Sequence, residues 1–262
     1  MSPEGAKRPD LTPLTFTVTD LETTDSTQSE VKRLAAGGAP EGTVVSARHQ
    51  RAGRGRRGHD WWDAPGQSLL FSVLLRPAGP SAAVPQLSLV GGLAVADALA
   101  ETVSVSARIR WPNDLLVDGR KVCGILAEAA SDGAGRLDYV ILGIGINLNQ
   151  TAFPATLQQR ATSLCLATGR TYLARPVLAA ALAHLGRRYA EWRSGGFAAL
   201  RAAWLGRSTL PGQVVRLPDG GEGAGVDVGD DGVLVARASD GRLLRVVSGA
   251  ASEEVTAHAA GH

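Results

Sequence analysis

The chain has 262 residues, 44% of them apolar, enough for one large domain or a domain with a small appendage and too many for a disordered polypeptide. Twenty-seven basic residues stand against 25 acidic ones, a net charge of +2, so no global attraction to a polyanion exists and basic chemistry has to come from local clustering. Five histidines and two cysteines without ligand spacing argue against a structural zinc site, and Cys123 and Cys165, in apolar surroundings, read as reduced small hydrophobes. Residues 1–12 are polar and broken by proline, a disordered arm without the apolar centre of a signal peptide. Apolar runs such as Val140 to Leu148 are too short to span a membrane, so a cytoplasmic protein is expected. Leu14 to Thr19 alternates apolar and Thr positions and predicts a strand. TTDSTQSEVKRLAAGG predicts a helix opened by a Thr27/Glu30 capping box and closed by Gly37-Gly38. A β run, GTVVSARHQ, leads into RAGRGRRGHDWWDAPGQ, and Ser68 to Leu75 reads as a buried strand. Pro85 to Val103 has helical spacing. ARIRW, LLV, KVCGILAEAA and LDYVILGIGINLN follow as strands separated by turn residues, an antiparallel or mixed sheet. Arg175 to Trp192 predicts a helix with Leu178, Leu182, Leu185, Tyr189 and Trp192 on one face, and a shorter helix runs from Phe197 to Leu205. From Leu210 onward, short β segments alternate with PDGG, GDDG and SDG turns, predicting a small antiparallel barrel. The expected organisation is α+β over residues 13–208 and a small β unit with a tail over 209–262.

Four segments carry chemistry. Gly53-Arg54-Gly55-Arg56-Arg57-Gly58 matches the dinucleotide fingerprint in letters, but the following HDWWDAPG cannot start the helix which that fold requires. No Walker A sequence is present. What is left is a glycine backbone bearing Arg48, Arg51, Arg54, Arg56 and Arg57, with Trp61 and Trp62 close behind. Glycines let main-chain N–H groups approach a ligand, and guanidinium forks suit phosphate and carboxylate oxygens. A segment of this kind can order over a phosphate-bearing ligand and keep water from a reactive intermediate. A solvated basic loop and a nucleic-acid patch are the competing readings. The second segment is Arg110-Trp111-Pro112-Asn113-Asp114, an ordinary hairpin turn by itself, followed by Lys121 at the head of the apolar strand KVCGILAE. The third is Asp25-Ser26-Thr27-Gln28 at a helix entrance, a cap that could also bind a neutral polar ligand. The fourth, Gly143-Ile144-Gly145-Ile146-Asn147, places glycines on a strand where another group comes close.

Taken in order, Ser26-Thr27-Gln28, Gln50 to Gly58, Trp61, Trp111 to Asp114, Lys121 to Leu126 and Gly143 to Asn147 resemble the catalytic core of the biotin–protein ligases over about residues 14–205. Two positions depart from the family pattern: Gln28 stands where Asn is usual, and Arg110 where Lys precedes Trp-Pro-Asn-Asp. The resemblance implies a class II aminoacyl-tRNA-synthetase-like catalytic domain with a mixed or antiparallel sheet, followed by an SH3-like β-barrel. It implies that ATP, with Mg²⁺, activates biotin as biotinyl-5′-AMP, and that a lysine of a biotin carboxyl carrier protein domain then takes the acyl group. Ser26, Thr27, Gln28, Gln50, Gly53, Arg54, Gly55, Arg56, Lys121 and Gly124 are the implied biotin contacts. Arg54, Arg56, Trp61, Asn113, Lys121 and Asn147 are implied for ATP and the adenylate. Lys121 and Arg56 are the implied catalytic groups, Asp114 the implied guide of the acceptor lysine, and no protein metal site is implied. About twenty residues precede the first motif, too few for the winged helix of DNA-binding relatives, so a ligase without specific DNA or membrane binding is expected, as monomer or weak homodimer. The neighbouring lipoate ligases and octanoyltransferases share the fold; the Arg/Gly segment and Trp-Pro-Asn-Asp favour biotin.

Overall fold

The computed structural model describes residues 14–131 and 136–247; the predicted N-terminal arm and C-terminal tail lie outside them. The chain begins with β1 (Thr17–Leu21), α1 (Thr27–Ala36), β2 (Thr43–Ala47) and β3 (Ser68–Leu75). After α2 (Val84–Val103) come β4 (Arg108–Arg110), β5 (Asp114–Val117), β6 (Arg120–Ser131) and β7 (Leu137–Asn147). These strands form one seven-stranded sheet in the order β1-β2-β3-β7-β6-β5-β4, antiparallel throughout except for the parallel β1–β2 pair. β3 lies inside it, and all eight of its residues are buried, as an unbroken apolar run requires.

The sheet is covered on both faces. On one side α2 crosses β6 and β7 and is itself covered by α4 (Ala174–Gly195) and α5 (Ala198–Arg207). α2 is long and apolar enough to cross a membrane, yet Leu87 to Leu99 along it are buried in this core. On the other side α1 packs Val31 and Ala35 against Val45, Leu74 and Ile141, a second apolar cluster. Asp97, buried on α2, meets the guanidinium groups of Arg188 on α4 and Arg207 on α5, each at 2.8 Å, so the helical layer is tied by charge as well as by packing.

Several sequence expectations shift. The first strand starts three residues later than predicted and ends two later, and the α4 helix extends to Gly195. The capping box does not form: Ser26 is the N-cap with no side-chain cap bond, and Thr24 Oγ1 donates to Glu30 Oε1 at 3.3 Å. Thr27 is unavailable for it because both its N–H and its hydroxyl turn to Gln50. The C-terminal β segments, β8 (Val214–Arg216), β9 (Glu222–Val228), β10 (Leu234–Ala238) and β11 (Leu243–Val246), form the small antiparallel unit expected after Leu210, a meander ordered β11-β10-β9-β8. The short α3 (Leu164–Thr168) is capped by Ser163, whose hydroxyl accepts from Leu166 N.

Candidate active site

A cleft opens where the first turn of α1, the end of β2 and the Arg/Gly segment meet the glycine-bearing stretches of β6 and β7. Its two ends differ in chemistry.

One end is neutral and buried. Gln50 Oε1 accepts from Thr27 N at 2.7 Å and from Thr27 Oγ1 at 2.9 Å, satisfying a donor that every helix start leaves open. Ser72 Oγ lies 2.8 Å from Thr27 Oγ1, and since the Thr27 proton goes to Gln50, Ser72 donates. Gln28 Nε2 reaches across the sheet to Leu126 O at 3.2 Å. Gly143 makes that reach possible, for a Cβ there would stand 2.7 Å from Gln28 Cδ. Leu70, Ile125 and Ile144 supply apolar walls.

The other end is charged and partly open. Lys121 Nζ stands 2.6 Å from Asp114 Oδ1, a coulombic contact, and Arg110 Nη2 donates to Asp114 Oδ2 at 2.6 Å. Arg56 Nη1 donates to Asn113 Oδ1 at 3.1 Å, while Asn113 Nδ2 donates to Ile125 O at 2.8 Å and fixes that amide to β6. Burial lowers the Arg56 pKa from the usual arginine value and the neighbouring Arg57 adds to this, with Asp114 opposing. A guanidinium remains a cation at neutral pH under such a shift. Arg54 pairs with Glu128 at 2.9 Å. The Trp61 indole lies across the sheet between the two ends: a Cβ at Gly124 or at Gly145 would stand 2.7 Å from its ring. The Lys121 ammonium is 5.5 Å from the Trp61 ring centroid, and the buried Nε1 of Trp61 has no hydrogen-bond partner among the described residues. A buried donor without a partner is a group that a ligand could satisfy.

The Arg/Gly segment is held at both roots. Arg51 pairs with Asp25 at 2.8 Å, and His49 Nδ1 lies 3.0 Å from Oδ2 of the inaccessible Asp63. Arg57 adopts a left-handed backbone (φ 56°) that turns the chain back. Of the five arginines named from the sequence, only Arg54 and Arg56 line the cleft; Arg48 and Arg51 pair with acids outside it. Trp62 also turns away and packs on Phe153, centroids 5.4 Å apart.

Of the residues singled out by sequence, the cleft thus gathers Ser26, Thr27, Gln28, Gln50, Arg54, Gly55, Arg56, Trp61, Asn113, Lys121 and Gly124. Three stand behind its lining. Gly53 lets the chain pass where a Cβ would meet Trp61 O at 2.9 Å. Asp114 grips Lys121 from the side. Asn147, buried, gives its amide to Thr162 O at 3.0 Å and accepts from Gln150 Nε2 at 3.2 Å. Thr162 N in turn donates to Lys121 O at 2.9 Å, so Asn147 braces the backbone that carries the lysine. Sequence reasoning missed Ser72 and Leu70. A hydroxyl inside the apolar run SLLFSVLL was the available signal, since a buried hydroxyl needs a partner.

The family model described as the biotin/lipoate A/B protein ligase family matches residues 21–147. A biotin–[acetyl-CoA-carboxylase] ligase of Paracoccus denitrificans is 38% identical over 86% of this chain and 95% of its own length. The bifunctional ligase/repressor BirA of Bacillus subtilis is 36% identical over 82% of this chain and 68% of its own. Among solved structures, the biotin protein ligase from Aquifex aeolicus in complex with biotin and ATP superposes with a TM-score of 0.76 at 30% identity, covering 89% of this chain and 96% of that one.

Proposed function

The chain belongs to the biotin/lipoate A/B protein ligase family, and we propose the following division of labour in the cleft of a biotin–[acetyl-CoA-carboxylase] ligase. The reaction condenses biotin with ATP to biotinyl-5′-AMP and pyrophosphate, then passes the acyl group to a lysine of a biotin carboxyl carrier protein domain, releasing AMP. Ser26, Thr27, Gln28 and Gln50 hold the neutral ureido ring, whose donors and acceptors suit hydroxyls and amides. Leu70, Ile125 and Ile144 cover the apolar chain, while Gly53, Gly55 and Gly124 let backbone and ring come close. The carboxylate then points to the charged end. Attack of one anion on another is opposed by repulsion, which Lys121, Arg56 and Arg54 offset by placing fixed positive charge where negative charge develops on the α-phosphate. Asn113, Trp61 and Asn147 serve the nucleotide side. Magnesium would enter on the phosphate oxygens of ATP, where it neutralises charge; among the described residues no cluster of three or more metal-ligating side chains is present to hold it. Once a phosphate takes over the charge of Lys121, Asp114 orients the incoming lysine. The catalytic unit ends at residue 208, with the C-terminal β unit beginning at 209.

The observation that carries this reading is the single cleft joining a buried neutral pocket to paired cations. Isotope exchange between pyrophosphate and ATP tests it without a carrier. Exchange is expected with biotin; exchange only with lipoate or octanoate would move the chain within its family, and none with any acid would refute acyl-adenylate formation.

A further inference from the structure

The Asn113–Asp114 turn holds Arg56 and Lys121 at the charged end, so whatever fixes the root of that turn bears on catalysis. Its root is Trp111, at the end of edge strand β4. Beyond β4 the chain from 208 onward lies along the sheet edge: Ser208 bridges Ile109 in parallel fashion, and Thr209 N donates to Ile109 O at 2.8 Å. The next rung should pair Trp111. The backbone cannot provide it, because Pro211 has no N–H and Gly212 turns away at φ 106°. A side chain provides it instead. Gln213 Oε1 accepts from Trp111 N at 3.0 Å, and Gln213 Nε2 donates to Trp111 O at 2.7 Å. A primary amide carries the donor and acceptor of a peptide group, so it can replace a strand rung. Thr209 Oγ1 donates to the same Oε1 at 3.2 Å, which fixes the amide's orientation. The backbone of Gln213 faces the other way: its carbonyl accepts from Gly225 N of β9 at 2.7 Å. Gly232 O, in the β9–β10 turn, accepts from Trp111 Nε1 at 3.2 Å. The C-terminal sheet therefore grips Trp111 at three points, and the two residues after Pro112 hold Arg56 and Lys121.

We infer that Gln213 is a positioning residue for adenylation, through which the C-terminal sheet sets the turn that places Arg56 and Lys121. This rests on the biotin-activating reading above. Among the described residues Gln213 shares no hydrogen bond with Thr27, Gln28, Gln50 or Ser72, the polar groups of the neutral end, so the effect falls on turnover and not on biotin recognition. Gln213→Ala is expected to lower the kcat of biotin-dependent pyrophosphate exchange about tenfold, with the KM for biotin within about twofold of wild type. Arg201→Ala is the matched control. Arg201 joins α5 to β9 through Asp227 at 2.6 Å and, among the described residues, bonds neither Trp111 nor Gln213, so its loss loosens the same interface while leaving the Gln213–Trp111 rung, and should lower the melting temperature without changing kcat. Gln213→Glu keeps the reach and the acceptor but loses the donor until the carboxyl is protonated. Its exchange rate relative to wild type should recover as pH falls toward about 5. An undiminished kcat in folded Gln213→Ala, or an equal loss in Arg201→Ala at matched stability, overturns the inference. Should Gln213→Ala fail to fold, Gln213→Glu decides: a wild-type rate, or a loss that does not recover in acid, overturns it. Absence of exchange in the wild-type protein would instead remove the reading on which the inference rests.

Discussion

The two ends of the cleft are built on opposite plans. At the neutral end, Ser26, Thr27 and Gln28 are buried at a helix start, and before any ligand arrives Thr27 bonds Gln50 and Ser72 while Gln28 bonds Leu126 O. At the charged end, the side chains of Lys121 and Arg54 are 31% and 44% exposed, and each cation is held by a carboxylate that a phosphate can replace. A neutral ring is recognised by fixed dipoles whose positions must be right in advance, because each hydrogen bond contributes only about 1 kcal/mol net. Charge on a reacting phosphate is met by cations that can exchange partners, because burying them unpaired would cost several kcal/mol. In the proposed division of labour, rigidity therefore belongs to recognition and exchangeable pairing to the chemical step.

The sharpest test of the contrast is Lys121→Ala, expected to lower the exchange kcat by about a thousandfold while leaving equilibrium biotin binding within a few-fold. Gly143→Ala attacks the other end: its methyl would stand 2.7 Å from Gln28 Cδ, so the KM for biotin should rise about a hundredfold with kcat little changed. A loss confined to kcat would erase the distinction between the two ends. Thr27→Val removes the hydroxyl shared by Gln50 and Ser72 and should raise the biotin KM about tenfold, through hydrogen bonds left unpaired on both neighbours. Ionic strength should separate the ends more gently. Raising salt from about 0.05 to 0.3 M is expected to weaken ATP binding about threefold and to leave biotin-ring binding unchanged, read by calorimetry with biotin methyl ester to remove the carboxylate. The smallest expected effect is none. Cys123 lies buried beside Lys121, and burial pushes its thiol far up, outweighing the pull of the ammonium. A raised pKa favours the neutral thiol, so a thiol reagent should leave Cys123 untouched through the neutral range and label it only on unfolding.

How much of this was legible in the letters can be followed residue by residue. The Arg/Gly segment, Trp61, Lys121 and the Ser-Thr-Gln helix start are compact runs whose residue types announce anionic and neutral polar ligands, and the structure brings them to one cleft. Ser72 was hidden because a strand pattern records burial but not which neighbour a hydroxyl will find. Arg48 and Arg51 were indistinguishable from Arg54 and Arg56 because five arginines in ten residues differ only in the direction the backbone takes, which pairs the first two with Glu22 and Asp25. The capping box was legible and still absent, since a partner 23 residues away competed for the same threonine.

By itself the sequence determined what is local or periodic: the buried run of β3, the long apolar α2, the meander of short strands after Leu210, and the stock of cations and amides available to a site. Tertiary structure alone decided which of those groups face each other. Gln50 caps α1, Asn147 braces the Lys121 backbone, and Gln213 completes the edge of a sheet to which it does not belong. The physical reason is that a hydrogen bond depends on direction and distance between chain segments, and no spacing along one segment contains either.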